Sequence, residues 1–150
     1  MNRETYREMK QRHQQEVNAL PLAFAFSREQ FETMLSKWGI AQDDAKDGAV
    51  VGMGNGCFIR SEDRVTVVTA FKRIAKEEAD AVASDRDGNG YIYEMFLEEL
   101  LNHEYTYTGD LSETLNAVGM TLEQVQESEP LKNGLRLALE RLRESTDGVI

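Results

Sequence analysis

Only two prolines, Pro21 and Pro130, occur in the 150 residues. Between them no residue lacks a backbone donor, so helices can run for as long as the apolar pattern supports them. Helix punctuation falls instead to polar caps and glycines. Ser27 with Gln30 forms a capping box, Phe26 can staple onto Phe31, and Phe31, Met34, Leu35 and Trp38 share one face before Gly39 stops the helix. Asp110 and Glu113 form a cap pair ahead of Leu111, Leu115 and Val118, with Gly119 as the stop. Thr121 and Gln124 make a second box, with Met120 able to staple onto Val125. A last helix begins at Pro130 and carries Leu131, Leu135, Ala138, Leu139 and Leu142. Its interior Gly134 costs up to about 1 kcal/mol relative to alanine, which points to a close neighbour there.

The remaining segments read as follows. Residues 1–18 form a helix with a thin stripe of Tyr6, Met9, His13 and Val17, suited to a peripheral N-terminal helix within residues 1–20. Leu22 to Phe26 is a short extended segment, and residues 41–48 are a polar loop. Around Asn55-Gly56, the pair favoured in a two-residue type I′ turn, the chain reads as a β-hairpin too small to stand without helices against it. A long helix over residues 61–84 presents Val65, Val68, Phe71, Ile74 and Ala75, with Lys76, Glu77, Glu78 and Asp80 facing water. After a turn at residues 85–90, a helix near residues 93–105 carries Met95, Phe96, Leu97, Leu100 and Leu101. The expected class is mainly α: six to seven helices with one small β-hairpin packed against them, an α+β arrangement in a single domain over residues 1–150.

With 41% apolar and 29% charged residues the composition is that of a globular chain. Cys57 is the single cysteine, so no internal disulfide forms and nothing points to an oxidising compartment. No run approaches the roughly 20 apolar residues that span a bilayer, and the polar N-terminus does not read as a signal peptide. A cytoplasmic location is the expectation. The net charge of −10 would repel nucleic acid and anionic membranes. Only the first twenty residues lean the other way, where Arg3, Arg7, Lys10 and Arg12 face Glu4, Glu8 and Glu16 for a net of +1.

The most specific string is the one from Asp85 to Ile92, which matches the first eight positions of an EF-hand loop. Asp85, Asp87 and Asn89 would be oxygen ligands, Gly90 the sharp turn, Tyr91 a carbonyl donor and Ile92 the apolar plug. The twelfth position, where Ca²⁺ takes a bidentate glutamate, is Phe96. Moving the register to bring Glu98 there puts Ile92 where glycine belongs. A glycine-rich turn in which Asp and Asn bond their own backbone is the favoured reading, with a weak calcium site as the alternative.

Other candidate sites are poorer. The glycines at 52, 54 and 56 lead into an apolar run rather than a helix, against a phosphate loop. Cys57 with His103 is the one thinkable nucleophile and base, but a cysteine in an apolar strand is ordinarily a packing residue. Glu99 and His103 share a helix face, yet two ligands do not make a metal site. Residues 111–128 have the outline of a helix-turn-helix, and a helical-hairpin transcriptional regulator is a further alternative. Residues 104–130, however, hold six acidic residues and neither Lys nor Arg, so DNA would be repelled.

The strings FAFSREQF (24–31), GNGCFIR (54–60) and YEMFLEELLNHEYTYTGDLSETLNAVGMTLEQVQ (93–126) resemble a family of short uncharacterised proteins from gut bacteria and their phages and conjugative elements. The resemblance implies an accessory gene on mobile DNA and carries no catalytic residues. With no constellation equipped for chemistry, the expectation is a non-enzymatic interaction module that meets a protein with a basic surface. An anti-CRISPR-like inhibitor of a nucleic-acid enzyme is one such protein. No cofactor, direct nucleic-acid contact or membrane contact is expected. The carboxylates for that role are Asp43, Asp44 and Asp47; Glu77, Glu78 and Asp80; and Glu123, Glu127 and Glu129.

Overall fold

The structure, a computed structural model, describes residues 3–147; the first two residues of the expected N-terminal helix lie outside them. The chain divides into two compact units, one made of residues up to Arg12 with those from Glu77 on, the other of His13–Lys76. Helices α1 (Tyr6–Ala19) and α4 (Arg64–Ser84) each contribute residues to both.

In the His13–Lys76 unit, strands β1 (Ala23–Phe24), β2 (Val50–Gly54) and β3 (Cys57–Arg60) form an antiparallel sheet in the order β1-β3-β2. The β2–β3 turn is built as Asn-Gly predicts, with φ of +55° at Asn55 and +77° at Gly56. Against the sheet lies α2 (Arg28–Trp38), started by the Ser27 side chain accepting from the Gln30 amide at 3.1 Å and stopped by Gly39 at φ +68°. Ala25, Met34 and Leu35 form the buried centre, with Phe31, Trp38, Val50 and Phe58 packed on it. The expected staple is replaced. Ala25 donates to the Gly56 carbonyl at 2.9 Å, so pairing with β3 continues past Phe24. Strand alternation then turns Ala25 inward and sends Phe24 and Phe26 out. Phe26 is 74% exposed and stacks on Phe24, while Phe31 meets Phe58 edge to face at 5.1 Å.

Two other readings shift. The expected loop over residues 41–48 is instead α3 (Gln42–Asp44) followed by a wide helical turn, Ala45–Ala49. The acidic pair Asp43 and Asp44 suits such a helix start. On α4 the buried residues are Val67 and Ile74, with Phe71 half-buried, whereas Val65 is 78% exposed and Ala75 also faces out. At 100° per residue Val65 lies on the far side from Val67, and the 4-then-3 spacing of Val67, Phe71 and Ile74 defines the inner stripe.

In the other unit, α5 (Tyr91–Asn102) is the central element, packed on α7 (Ser112–Val118) and α9 (Glu129–Asp147). The short helices α6 (Tyr105–Thr108) and α8 (Leu122–Glu127) complete it. Phe96 and Leu100 are fully buried, surrounded by Ile92, Met95, Leu115, Val125, Leu135, Ala138 and Leu142. The expected helix near residues 93–105 starts two residues earlier, at Tyr91, and ends at Asn102, because Glu104 turns to φ +54°. Gly119 stops α7 at φ +70°, and the Thr121–Gln124 capping box opens α8 with both of its hydrogen bonds present. Gly134 is where the neighbour comes close: a Cβ there would overlap the Ile92 side chain and sit 2.7 Å from the Gly88 carbonyl oxygen. Among the described residues there are nine α-helices and one small three-stranded sheet, a mainly α protein with some β.

Candidate functional site

The turn between α4 and α5 is built around Asp85. One carboxylate oxygen accepts from the Gly88 amide at 3.1 Å; the other accepts from Gly90 at 3.0 Å and from Ile92 at 2.9 Å. Gly88, at φ +79°, lies so tight on Pro130 that a Cβ would overlap its carbonyl, and Asn133 donates to the Asp87 carbonyl at 2.7 Å. Tyr91 is buried as the first residue of α5, which commits its carbonyl to the helix ladder. Ile92 is buried against Gly134. These bonds account for Asp85 as the organiser of a turn pinned to α9. Among the described residues, no group of three or more His, Cys, Asp or Glu is arranged to hold a metal ion.

A polar cluster that the sequence pattern did not announce lies along α5. Arg3 forms a two-pronged bond to Glu94 at 3.0 and 2.5 Å, and the Tyr6 amide donates to Glu94 at 3.0 Å. Arg7 reaches Glu98 at 2.8 Å. Lys10 donates to both oxygens of Glu99, at 3.1 and 2.8 Å, and the Tyr6 hydroxyl and Asn102 amide donate to the same carboxylate. Glu99 is only 3% exposed. Burial works against its ionisation, but the bonds from Lys10, Tyr6 and Asn102 prevail and hold its carboxyl below the usual range. Glu94 is held low as well, chiefly by Arg3. Burial first, then Glu99, pushes the Tyr6 hydroxyl far above an ordinary phenol, and burial pushes Tyr91 up to about 12. The +1 balance of the N-terminal segment therefore gives no free basic patch. Arg12 likewise bonds Glu4 at 2.9 Å and Glu77 at 2.6 Å.

A matched spacing could have revealed this contact. Arg3 and Arg7 are four apart, and so are Glu94 and Glu98, which lie one turn apart on α5, whereas Arg3 precedes the start of α1 at Tyr6. Nothing in the chain points to Glu99 being buried except its place between Phe96 and Leu100 on the inward face.

The acidic groups singled out from sequence have different surroundings. Asp43, Asp44 and Asp47 are exposed around α3 and the turn after it. Glu77 is half-buried and paired with Arg12, rather than facing water, while Glu78 and Asp80 are exposed and also engaged in polar or electrostatic contacts. Glu123, Glu127 and Glu129 are exposed on α8 and the start of α9, with Lys132 at 3.8 Å from Glu129. Glu104, Asp110 and Glu113 are exposed too, so all six carboxylates of residues 104–130 face out. Tyr107, 88% exposed, and Leu122 stand among them.

Cys57 and His103 belong to different units. Burial pushes the Cys57 thiol up, away from the thiolate. His103 ends α5 with one ring nitrogen 3.6 Å from Glu113 and the other 3.9 Å from Glu99. No helix among the described residues is long and apolar enough to cross a membrane.

This architecture defines a mainly α protein whose α5 carries an acidic stripe bonded to the basic side chains of Arg3, Arg7 and Lys10 and whose 104–130 segment is anionic throughout. The chain belongs to the family of unknown function DUF7659, which matches residues 5–141. No curated protein and no solved structure matches it.

Proposed function

We propose that the chain is a non-enzymatic interaction module that binds a basic surface of another protein through the segment 104–130. The observation that carries this reading is the exposure of all six carboxylates of that segment, where neither Lys nor Arg occurs. Clustered carboxylates facing Lys and Arg accelerate encounter and fix orientation, and an exposed tyrosine and leucine supply apolar contact inside the charged field. The basic groove of a nucleic-acid enzyme has the matching chemistry. The likeness to short proteins of gut-bacterial phages and conjugative elements supports a setting in which such an enzyme is inhibited.

The test is capture from an extract of the native host, comparing wild-type bait with Glu113→Lys/Glu123→Lys/Glu127→Lys. Proteins with basic grooves should be retained by the wild type, released by added DNA, and lost on the variant. Identical captured sets for the two baits would contradict the reading.

A further inference from the structure

Strand β1 ends the small sheet, with β3 on one side and no strand beyond it among the described residues. Its pairing alternates. Ala25 donates to the Gly56 carbonyl, so Ala25–Gly56 and Ala23–Phe58 are the hydrogen-bonded pairs and Phe24–Cys57 is not. The N–H and C=O of Phe24 therefore point away from β3, toward the open edge.

A groove of about 560 Å³ opens at this edge, and both Ala23 and Phe24 line it. Successive strand residues point to opposite faces, so a space touched by both lies beyond the strand rather than over one face of the sheet. The opposite wall is one stripe of α2 over three successive turns: Glu29 and Gln30, Thr33 and Met34, Lys37 and Trp38. Met34 is buried and Trp38 half-buried, while the exposed Phe24 ring stacks on Phe26. Glu29 and Lys37 stand at the two ends of the stripe, about 12 Å apart along the helix at roughly 1.5 Å per residue. On the same helix Arg28 and Glu32 pair with each other. The side chains of Glu29 and Lys37 have no such partner among the described residues.

We infer that this groove takes an extended segment of a partner protein, added to the sheet edge as a fourth strand. One rung of hydrogen bonds joins it to Phe24, so side chains in the groove must fix its register. Those side chains alternate, one set meeting Met34 and Trp38 and the other the Phe24 and Phe26 rings. The middle of the segment is therefore apolar on both faces and suits β-branched residues. A cation belongs at its Glu29 end and a carboxylate at its Lys37 end, separated by roughly four residues of extended chain. The two charges select this occupant over a second copy of the chain. A copy pairing through its own β1 would bring residues 20–26, which hold no charged side chain, and would leave both ends of the groove unanswered. The groove shares no residue with the 104–130 segment, so either surface can fail while the other stands.

The test uses the full chain and two labelled, end-blocked peptides, Lys-Val-Ile-Val-Glu and its charge-reversed form Glu-Val-Ile-Val-Lys. In fluorescence anisotropy, wild type should prefer one charge order by at least about tenfold. Glu29→Lys/Lys37→Glu, altered at two exposed positions, should prefer the other order by a similar factor. In the wild-type complex, amide exchange at Phe24 should slow at least about tenfold, while that at Ala23, already bonded to β3, stays unchanged. Equal affinity for the two orders, or no binding of either by a natively helical wild type, would overturn the inference. So would a Phe24 amide left unprotected in the complex. A chain that dimerises through β1, with the Phe24 amide protected before any peptide is added, would identify a second copy as the occupant and overturn the assignment to a partner protein.

Discussion

Gly134 interrupts a helix where alanine would ordinarily be better by about 1 kcal/mol, and the chain gives the reason: Ile92 and the Gly88 carbonyl occupy the space of a Cβ. Gly134→Ala is therefore expected to reverse the usual sign and destabilise by about 1–3 kcal/mol in urea unfolding, since the backbone at Gly88 cannot step aside. A stabilised variant would show that the approach is looser. Asp85 makes a companion case. Its carboxylate serves three backbone amides, and Asp85→Ala should cost about 1–3 kcal/mol by leaving them without that acceptor. The loss should be the same with Ca²⁺ as with chelator. If Ca²⁺ raised the Tm of wild type but not of Asp85→Ala, the ion-binding reading of Asp85, Asp87, Asn89 and Tyr91 would replace the turn. The glycine at 134 was legible because its cost had to be offset somewhere. The turn at Asp85 was legible as the favoured reading, with calcium left as the alternative because the same carboxylate can serve amides or an ion.

At the scale of elements, the signals that depend on a few neighbouring residues are those the fold follows. The Ser27 and Thr121 caps, the stops at Gly39 and Gly119, and the Asn55-Gly56 turn stand where local chemistry puts them. Readings that depend on distant contacts moved. Phe26 lost its staple because strand pairing turned it outward, and the inner stripe of α4 runs through Val67 rather than Val65. The attachment of α1 is of the second kind, since each charge pair joins residues about ninety positions apart. It sets a pH dependence. Glu94 and Glu99 have folded pKa values below the ordinary value of 4.5, so the unfolded chain takes up protons first as pH falls. The stability they contribute is complete above about 4.5 and disappears as pH drops through the lowered folded values. Unfolding midpoints followed across this range should fall more steeply for wild type than for Glu94→Gln. Parallel curves would mean that Glu94 gains nothing from Arg3 and the Tyr6 amide.

Over the whole molecule, charge is the property that connects sequence to proposed role. The total of −10 was plain from composition, and so was the segment lacking any cation between Glu104 and Pro130. What composition does not show is the distribution of pairing: the N-terminal cations are used up on α5 and on Glu77, leaving residues 104–130 as a segment with six exposed carboxylates. The patches around Asp43 and around Glu77 were equal candidates by sequence. The structure separates them from this segment by surroundings, since Glu77 is already bonded to Arg12 and the aspartates around α3 include no comparable exposed tyrosine. The most direct measurement is the association rate of the captured basic partner at low and physiological ionic strength, with two charge-matched variants. Glu113→Gln/Glu123→Gln/Glu127→Gln should slow association about tenfold or more at low salt and flatten its salt dependence, while Asp43→Asn/Asp44→Asn/Asp47→Asn should stay within about twofold of wild type. Equal slowing by both would reduce the effect to net charge and contradict a docking face at residues 104–130.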